Sequence, residues 1–437
     1  MNERFPIMRS LDPYHQRVGY LGALALATSR GLNMQDTILT KLENILFERI
    51  YMDDPRLLPI LDGLSPKQRA KLVRLPSKKR KIEDNPAAIL EPAGKATEWI
   101  YTSELWMHFD CMPASLGTLL PKKVNRIFDF AKWTGILTPT IELSETGYLL
   151  KLLLSDGKST DADVWLFNPL CPSPRPAVRL IYLRLLLAAE GLWVFIIRTL
   201  ILFTTEGKTL RTYGENSLLK VAVNALIESL GDISDPTDII ETREIAGFRD
   251  SVAGDASTEE NYLRPRMELL VDLGLIKRDA STFARSGAFP WSVTAQTRRV
   301  ADTWMDLGAD HESISKYLDE KFFSSMAYVY DVKATTIKDD RLVLRWFATA
   351  FERVGRDQGF TPGRSVALLA CLLAFEADRL LEIEQVFNTV YDSARSEWGS
   401  FLKFSGGSRF DREFMILVDH KLIAALDESL ATTPEQL

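Results

Sequence analysis

Two stretches of this chain nearly repeat each other. Leu269-Leu270-Val271-Asp272-Leu273-Gly274-Leu275-Ile276 aligns with Ile416-Leu417-Val418-Asp419-His420-Lys421-Leu422-Ile423, and the shared core is Leu-Val-Asp-x-x-Leu-Ile. A weaker copy is Phe130-Ala131-Lys132-Trp133-Thr134-Gly135-Ile136-Leu137. Each copy reads as the end of an amphipathic helix, a tight turn, and an apolar pair entering a strand. In two of them Gly stands where a helix typically exits through positive φ. A repeat of this kind constrains the fold more than composition does, because every copy asks for the same supersecondary unit.

The flanks of two copies also correspond. After Gly135-Ile136-Leu137 come Thr138-Pro139-Thr140 and then Ile141-Glu142-Leu143-Ser144-Glu145-Thr146-Gly147. After Gly274-Leu275-Ile276 come Lys277-Arg278, a Ser286-Gly287 turn, and Trp291-Ser292-Val293-Thr294. Leu143-Ser144 and Val293-Thr294 are each a strand end followed by a hydroxyl residue able to cap the next helix. The unit is therefore helix, short strand, hairpin tip, short strand, helix, with Leu143 and Val293 expected as buried strand residues placed alike.

This unit resembles the winged-helix family, in which a helix-turn-helix is followed by a two-stranded wing. The resemblance covers about Trp99–Leu154, Ser217–Trp304 and Ser365–Leu430. The third copy departs from the pattern: His420-Lys421 replaces the Gly exit, and no strand pair follows before the terminus. The resemblance implies a mostly α, multi-domain helical protein with repeated winged-helix units and short β-hairpin wings. It also implies two classes of partner, because winged helices contact double-stranded DNA or dock other protein subunits.

The remaining pattern is helical. Asn216 or Ser217 can cap a helix with Leu219, Ala222, Val223, Leu226, Ile227 and Leu230 on one face and Gly231 as its stop. Ser365 to Leu381 reads as another helix, with Val366, Leu369, Leu373 and Ala377 facing inward. Val178 to Phe203 is the most apolar stretch, but Arg179, Arg184, Glu190 and Arg198 interrupt it. A membrane span needs about 18 nearly uncharged residues, so two consecutive core helices broken near Gly191 are expected, with no membrane partner. Met1 to Arg9 has no apolar core of a secretory signal, and a cytoplasmic location is expected.

The chain has 437 residues, a length that suits several domains. Charged and Pro-containing breaks at Lys78–Pro92 and at Asn168–Pro176 suggest the boundaries. The expected division is an N-terminal helical domain (1–85), a first winged-helix-like unit (86–170), a helical connector (171–210), a second unit (211–310) and a C-terminal helical region with a third unit (311–437). Cys111, Cys171 and Cys371 form no CxxC pair, so neither a disulfide framework nor a structural zinc site is expected.

The formal charge of −6 excludes a uniformly basic nucleic-acid binder but not a locally basic one. Lys67, Arg69, Lys71, Arg74, Lys78, Lys79, Arg80 and Lys81 place eight cations within one short stretch that holds no acid, which leaves the rest of the chain at −14. Segregation of this kind lets an acidic protein hold a phosphate backbone, although a solvated helix face gives the same pattern. In the first unit Lys122, Lys123, Asn125 and Arg126 lie in the opening turns of the recognition-type helix. In the second, Arg264 and Arg266 take that position, and Lys277 and Arg278 lie at the wing base. These are the candidate DNA contacts.

Signals for catalysis are poor, and neither enzymatic activity nor a cofactor is expected. Gly157-Lys158-Ser159-Thr160 resembles the end of a phosphate-binding loop, yet Leu152 stands where that loop needs Gly. His108 and Cys111 share a helix face but supply only two ligands. Two readings stay open: a DNA-binding component of a larger DNA-handling assembly, or a scaffold that docks partner subunits.

Overall fold

The computed structural model describes residues 18–28, 38, 41, 124–155, 175–214, 217–230, 245–250, 256–278, 289–354, 359–405 and 414–432. These residues are mostly helical, with a few short strands. The helices before the central pair are α1 (Gly19–Ala27), α2 (Val124–Trp133) and α3 (Glu145–Ser155). The expected apolar pair follows as α4 (Pro176–Ala189) and α5 (Leu192–Thr205), bent by 101°. Pro176 suits the first turn of α4, where its missing N–H costs nothing. No single described helix is long and apolar enough to cross a membrane. The break falls at Glu190, whose backbone is extended (φ −154°, ψ 117°), and the next residue, Gly191, lies against Ala309, where a side chain would meet the Ala309 backbone.

Beyond the bend come α6 (Leu218–Leu230), a helical segment over 245–250, α7 (Ala256–Asp272), β1 (Ile276–Arg278), β2 (Trp291–Val293) and α8 (Ala295–Thr303). Leu219, Ala222, Val223 and Leu226 of α6 are buried, and the Ser217 hydroxyl accepts the Lys220 N–H at 3.5 Å. Next are α9 (His311–Glu320), α10 (Phe322–Tyr330) and β3 (Thr335–Thr336). The C-terminal part holds α11 (Asp340–Val354), β4 (Thr361–Pro362), α12 (Gly363–Glu376), β5 (Arg379–Leu380), α13 (Ile383–Ser393), β6 (Leu402–Ser405), β7 (Met415–Val418) and α14 (Lys421–Ala431). One connected apolar core runs from Val18 to Leu426. Within it α4 packs against α3, α9 and α12, α5 packs against α6 and α8, and α11 packs against α12, α13 and α14.

The hairpins that follow Gly135 and Gly274 share several bonds. Gly135 and Gly274 have φ of 74° and 70°. The Ile136 N–H donates to the Ala131 carbonyl at 2.8 Å, and the Leu275 N–H to the Leu270 carbonyl at 3.0 Å. Leu137 bridges Leu143 antiparallel, as Ile276 pairs with Val293. Leu143 is buried and Val293 half-buried. Each hairpin then ends on a helix cap: the Ser144 hydroxyl accepts the Gly147 N–H at 2.9 Å, and the Thr294 hydroxyl accepts the Thr297 N–H at 3.1 Å. These groups take up helix-end donors that would otherwise lack partners.

The third copy needs correction. Leu417-Val418-Asp419 does not end a helix, because Met415–Val418 is strand β7, with Ile416 and Val418 buried and Met415 and Leu417 half-buried. That alternation has the period of a strand. Its hairpin partner β6 precedes it, so the strand pair that the other copies have after this segment lies before and within it. β7 also pairs with β4, giving the antiparallel order β4-β7-β6. Asp419 therefore corresponds to Thr294 and Ser144 rather than to Asp272. Its carboxylate accepts the Lys421 N–H at 2.9 Å as α14 starts, which also accounts for the missing Gly exit. The helix expected over Ser365–Leu381 runs Gly363–Glu376 instead and stops as Asp378 turns left-handed at φ 57°.

Gly191→Ala tests the bend. The added methyl would lie 2.9 Å from the Ala309 Cβ and closer still to its carbonyl oxygen. A loss of about 1–3 kcal/mol is expected, as for overpacking. Gly207→Ala, which enters open space at φ 65°, is expected to cost only the backbone strain of about 1–2 kcal/mol. Denaturant melts that place Gly191→Ala at or above wild-type stability would show that the approach of Ala309 does not set the bend.

Candidate docking face

The four charges that interrupt the apolar stretch all point at partners. Glu190 and Arg266 are fully buried and form a two-pronged ion pair, Arg266 Nη2 to Glu190 Oε1 at 2.6 Å and Nε to Oε2 at 3.1 Å. Arg184 Nη2 donates to Asp319 Oδ1 at 3.0 Å, and Arg364 Nη2 donates to both Asp319 oxygens at 2.8 and 2.9 Å. Arg198 donates to the Leu307 carbonyl at 2.9 Å and also to that of Trp304. Arg179 lies over the Tyr330 ring, 4.9 Å from its centroid.

The expected DNA contacts fare unevenly. Arg266 is corrected outright. It lies inside the protein on Glu190, with Nη1 on the Tyr262 carbonyl at 2.8 Å, and reaches no surface. Pro265 precedes it within α7 and cannot donate to the helix ladder. Arg264 pairs with Glu260 one turn earlier, at 2.5 Å. Lys277 is exposed on β1, and Arg278 ends that strand. Asn125 and Arg126 belong to the first turn of α2. Lys67, Arg69, Lys71, Arg74, Lys78, Lys79, Arg80, Lys81, Lys122 and Lys123 lie outside the described residues.

The sequence reading passed over α13. Its apolar positions Ile383, Val386, Phe387 and Val390 are buried against the rest of the C-terminal part, which leaves Glu384, Gln385, Asn388 and Asp392 on the other side. This i, i+3, i+4, i+7 spacing was there to be read. The eleven residues of α13 include no Lys or Arg. Beside it lies a cavity of about 500 Å³ whose lining includes Glu320, Asp340, Glu382, Glu384 and Asp392. Side-chain bonds hold its walls. Thr389 and Asp340 share a bond of 3.1 Å, and the Gln385 amide donates to the Ile337 carbonyl at 2.6 Å.

Glu382 joins this face to the body of the protein. Its oxygens accept the N–H of Phe323 at 3.1 Å and of Ser324 at 2.7 Å, in the first turn of α10. Burial pushes its carboxyl above the usual range, against the lowering effect of those two amides and of Arg184. Burial likewise pushes the Cys371 thiol well up, as expected of an inert buried cysteine. Among the described residues, no group of three or more His, Cys, Asp or Glu side chains is placed to hold a metal ion. No family model, curated protein or solved structure matches the chain.

Two predictions follow from these ties. Arg266→Met leaves Glu190 buried without its cation and should cost about 3–5 kcal/mol, whereas Arg266→Met with Glu190→Leu should recover much of the loss. Urea melts showing equal stability for the single and double variants would mean that the pair carries no coupling. For Glu382, a raised folded value means that the folded state holds the proton more tightly than the unfolded chain does. Its contribution is fully present below the unfolded value of about 4.3 and is lost as pH rises through the folded value. Wild-type stability should therefore fall relative to Glu382→Gln as pH rises from below the unfolded value through the folded value. A difference that stays flat with pH would contradict the raised value.

Proposed function

We propose that the chain is a non-catalytic assembly protein whose hairpin units are winged helices used to dock partner subunits, with α13 as the docking helix of the C-terminal unit. The topology supports the unit assignment. Residues 340–418 run helix, strand, helix, strand, helix, strand, strand; β5 pairs with β3, and of the other three strands the last lies between the first two. In a winged helix the third helix is the one presented to a ligand, and here that helix is α13. Over 218–293, α6, α7 and the β1–β2 hairpin follow a related order.

The observation that carries the docking reading is the charge of α13. Asp392 is exposed and Glu384 half-buried, and the helix itself carries no Lys or Arg. Such a helix laid on a phosphate backbone is repelled, because phosphate affinity comes from cations that displace counterions. The same field favours a basic protein surface. In α7, Arg266 is consumed by Glu190 and Arg264 by Glu260, so that helix has little positive charge left to offer.

A second reading adds DNA rather than replacing the first. The segment Lys67 to Lys81 concentrates eight cations with no acid, the pattern that suits a duplex DNA backbone, with α13 serving the protein partner. Lys122, Lys123, Asn125 and Arg126 would add contacts from the start of α2.

Two experiments separate these roles. Asn388→Lys with Asp392→Lys, both at exposed positions, should weaken capture of a protein partner at least tenfold, with the thermal midpoint little changed. Unaltered capture, or wild-type DNA binding that depends on α13, would overturn the docking role. For DNA, a gel shift over a salt series should show affinity falling steeply with salt. Neutralising Lys78, Lys79, Arg80 and Lys81 should flatten the slope by about 0.9 per lost phosphate contact, equally for all sequences. Wild-type protein without salt-sensitive DNA affinity at low ionic strength would remove the second reading and leave the first standing.

A further inference from the structure

We draw no further inference here: the strongest candidate, the carboxylate-lined cavity between α9, α11 and α13, belongs to the docking face already proposed, and nothing in the structure shows what would fill it.

Discussion

The arrangement of the middle of this protein depends on one buried ion pair. Glu190 sits at the break between α4 and α5, and Arg266 sits on α7, so the pair fixes where the hairpin unit of 256–303 meets the central bend. Neither residue has solvent to fall back on. Burying a lone carboxylate or guanidinium is costly, and the cost is offset only by a close, two-pronged geometry such as this one. Apolar side chains of similar size would fill the same space with comparable stability. What they lack is direction. Many registers of α7 against α4 and α5 bury apolar surface, but few bring Arg266 within 3.1 Å of Glu190. Phe248, whose ring lies 5.7 Å from the Arg266 guanidinium and 5.2 Å from the Tyr262 ring, draws the 245–250 segment into the same arrangement.

The same logic extends along the central pair. Its apolar residues are buried nearly all round, so hydrophobicity alone gives α4 and α5 no preferred rotation. Arg179, Arg184, Glu190 and Arg198 supply one. Each requires a particular neighbour: the Tyr330 ring, Asp319, Arg266, and the carbonyls at the end of α8. Asp319 is shared between Arg184 of α4 and Arg364 of α12, and thereby fixes the C-terminal part against the central pair. The charges that interrupt the apolar stretch are thus the groups that orient the two helices within the buried core.

Legibility from the sequence followed the range of the interaction. The apolar period of α6, the Gly135 and Gly274 exits and the caps at Ser144 and Thr294 rest on spacings and bonds a few residues apart, and their signals lie in the local pattern. The third copy was misaligned because Leu-Val-Asp-x-x-Leu-Ile fits both a helix leading into a strand and a strand leading into a helix. Only the partner strand β6 decides between them, and the alternating burial of 415–418 is its trace. Arg266 failed for a different reason. A cation on an amphipathic helix reads as exposed unless its counter-charge is visible, and Glu190 is distant in sequence. Glu190 was noticed only as an interruption of an apolar run, and no local pattern joins the two.

The charge on α13 matters because the helix is held so firmly. Its apolar face is locked into the core, Gln385 bonds the Ile337 carbonyl, and Glu382 caps α10. A helix fixed in this way cannot turn a different face outward for a different ligand, so its outer residues determine what it attracts. On the proposed docking reading, the acidic residues beside α13 favour a basic protein surface over a phosphate backbone. The eight cations from Lys67 to Lys81 carry the opposite charge and would suit an anionic partner. On the proposed reading, that segregation of charge along the sequence suits a component that joins others better than one that reads a DNA sequence alone.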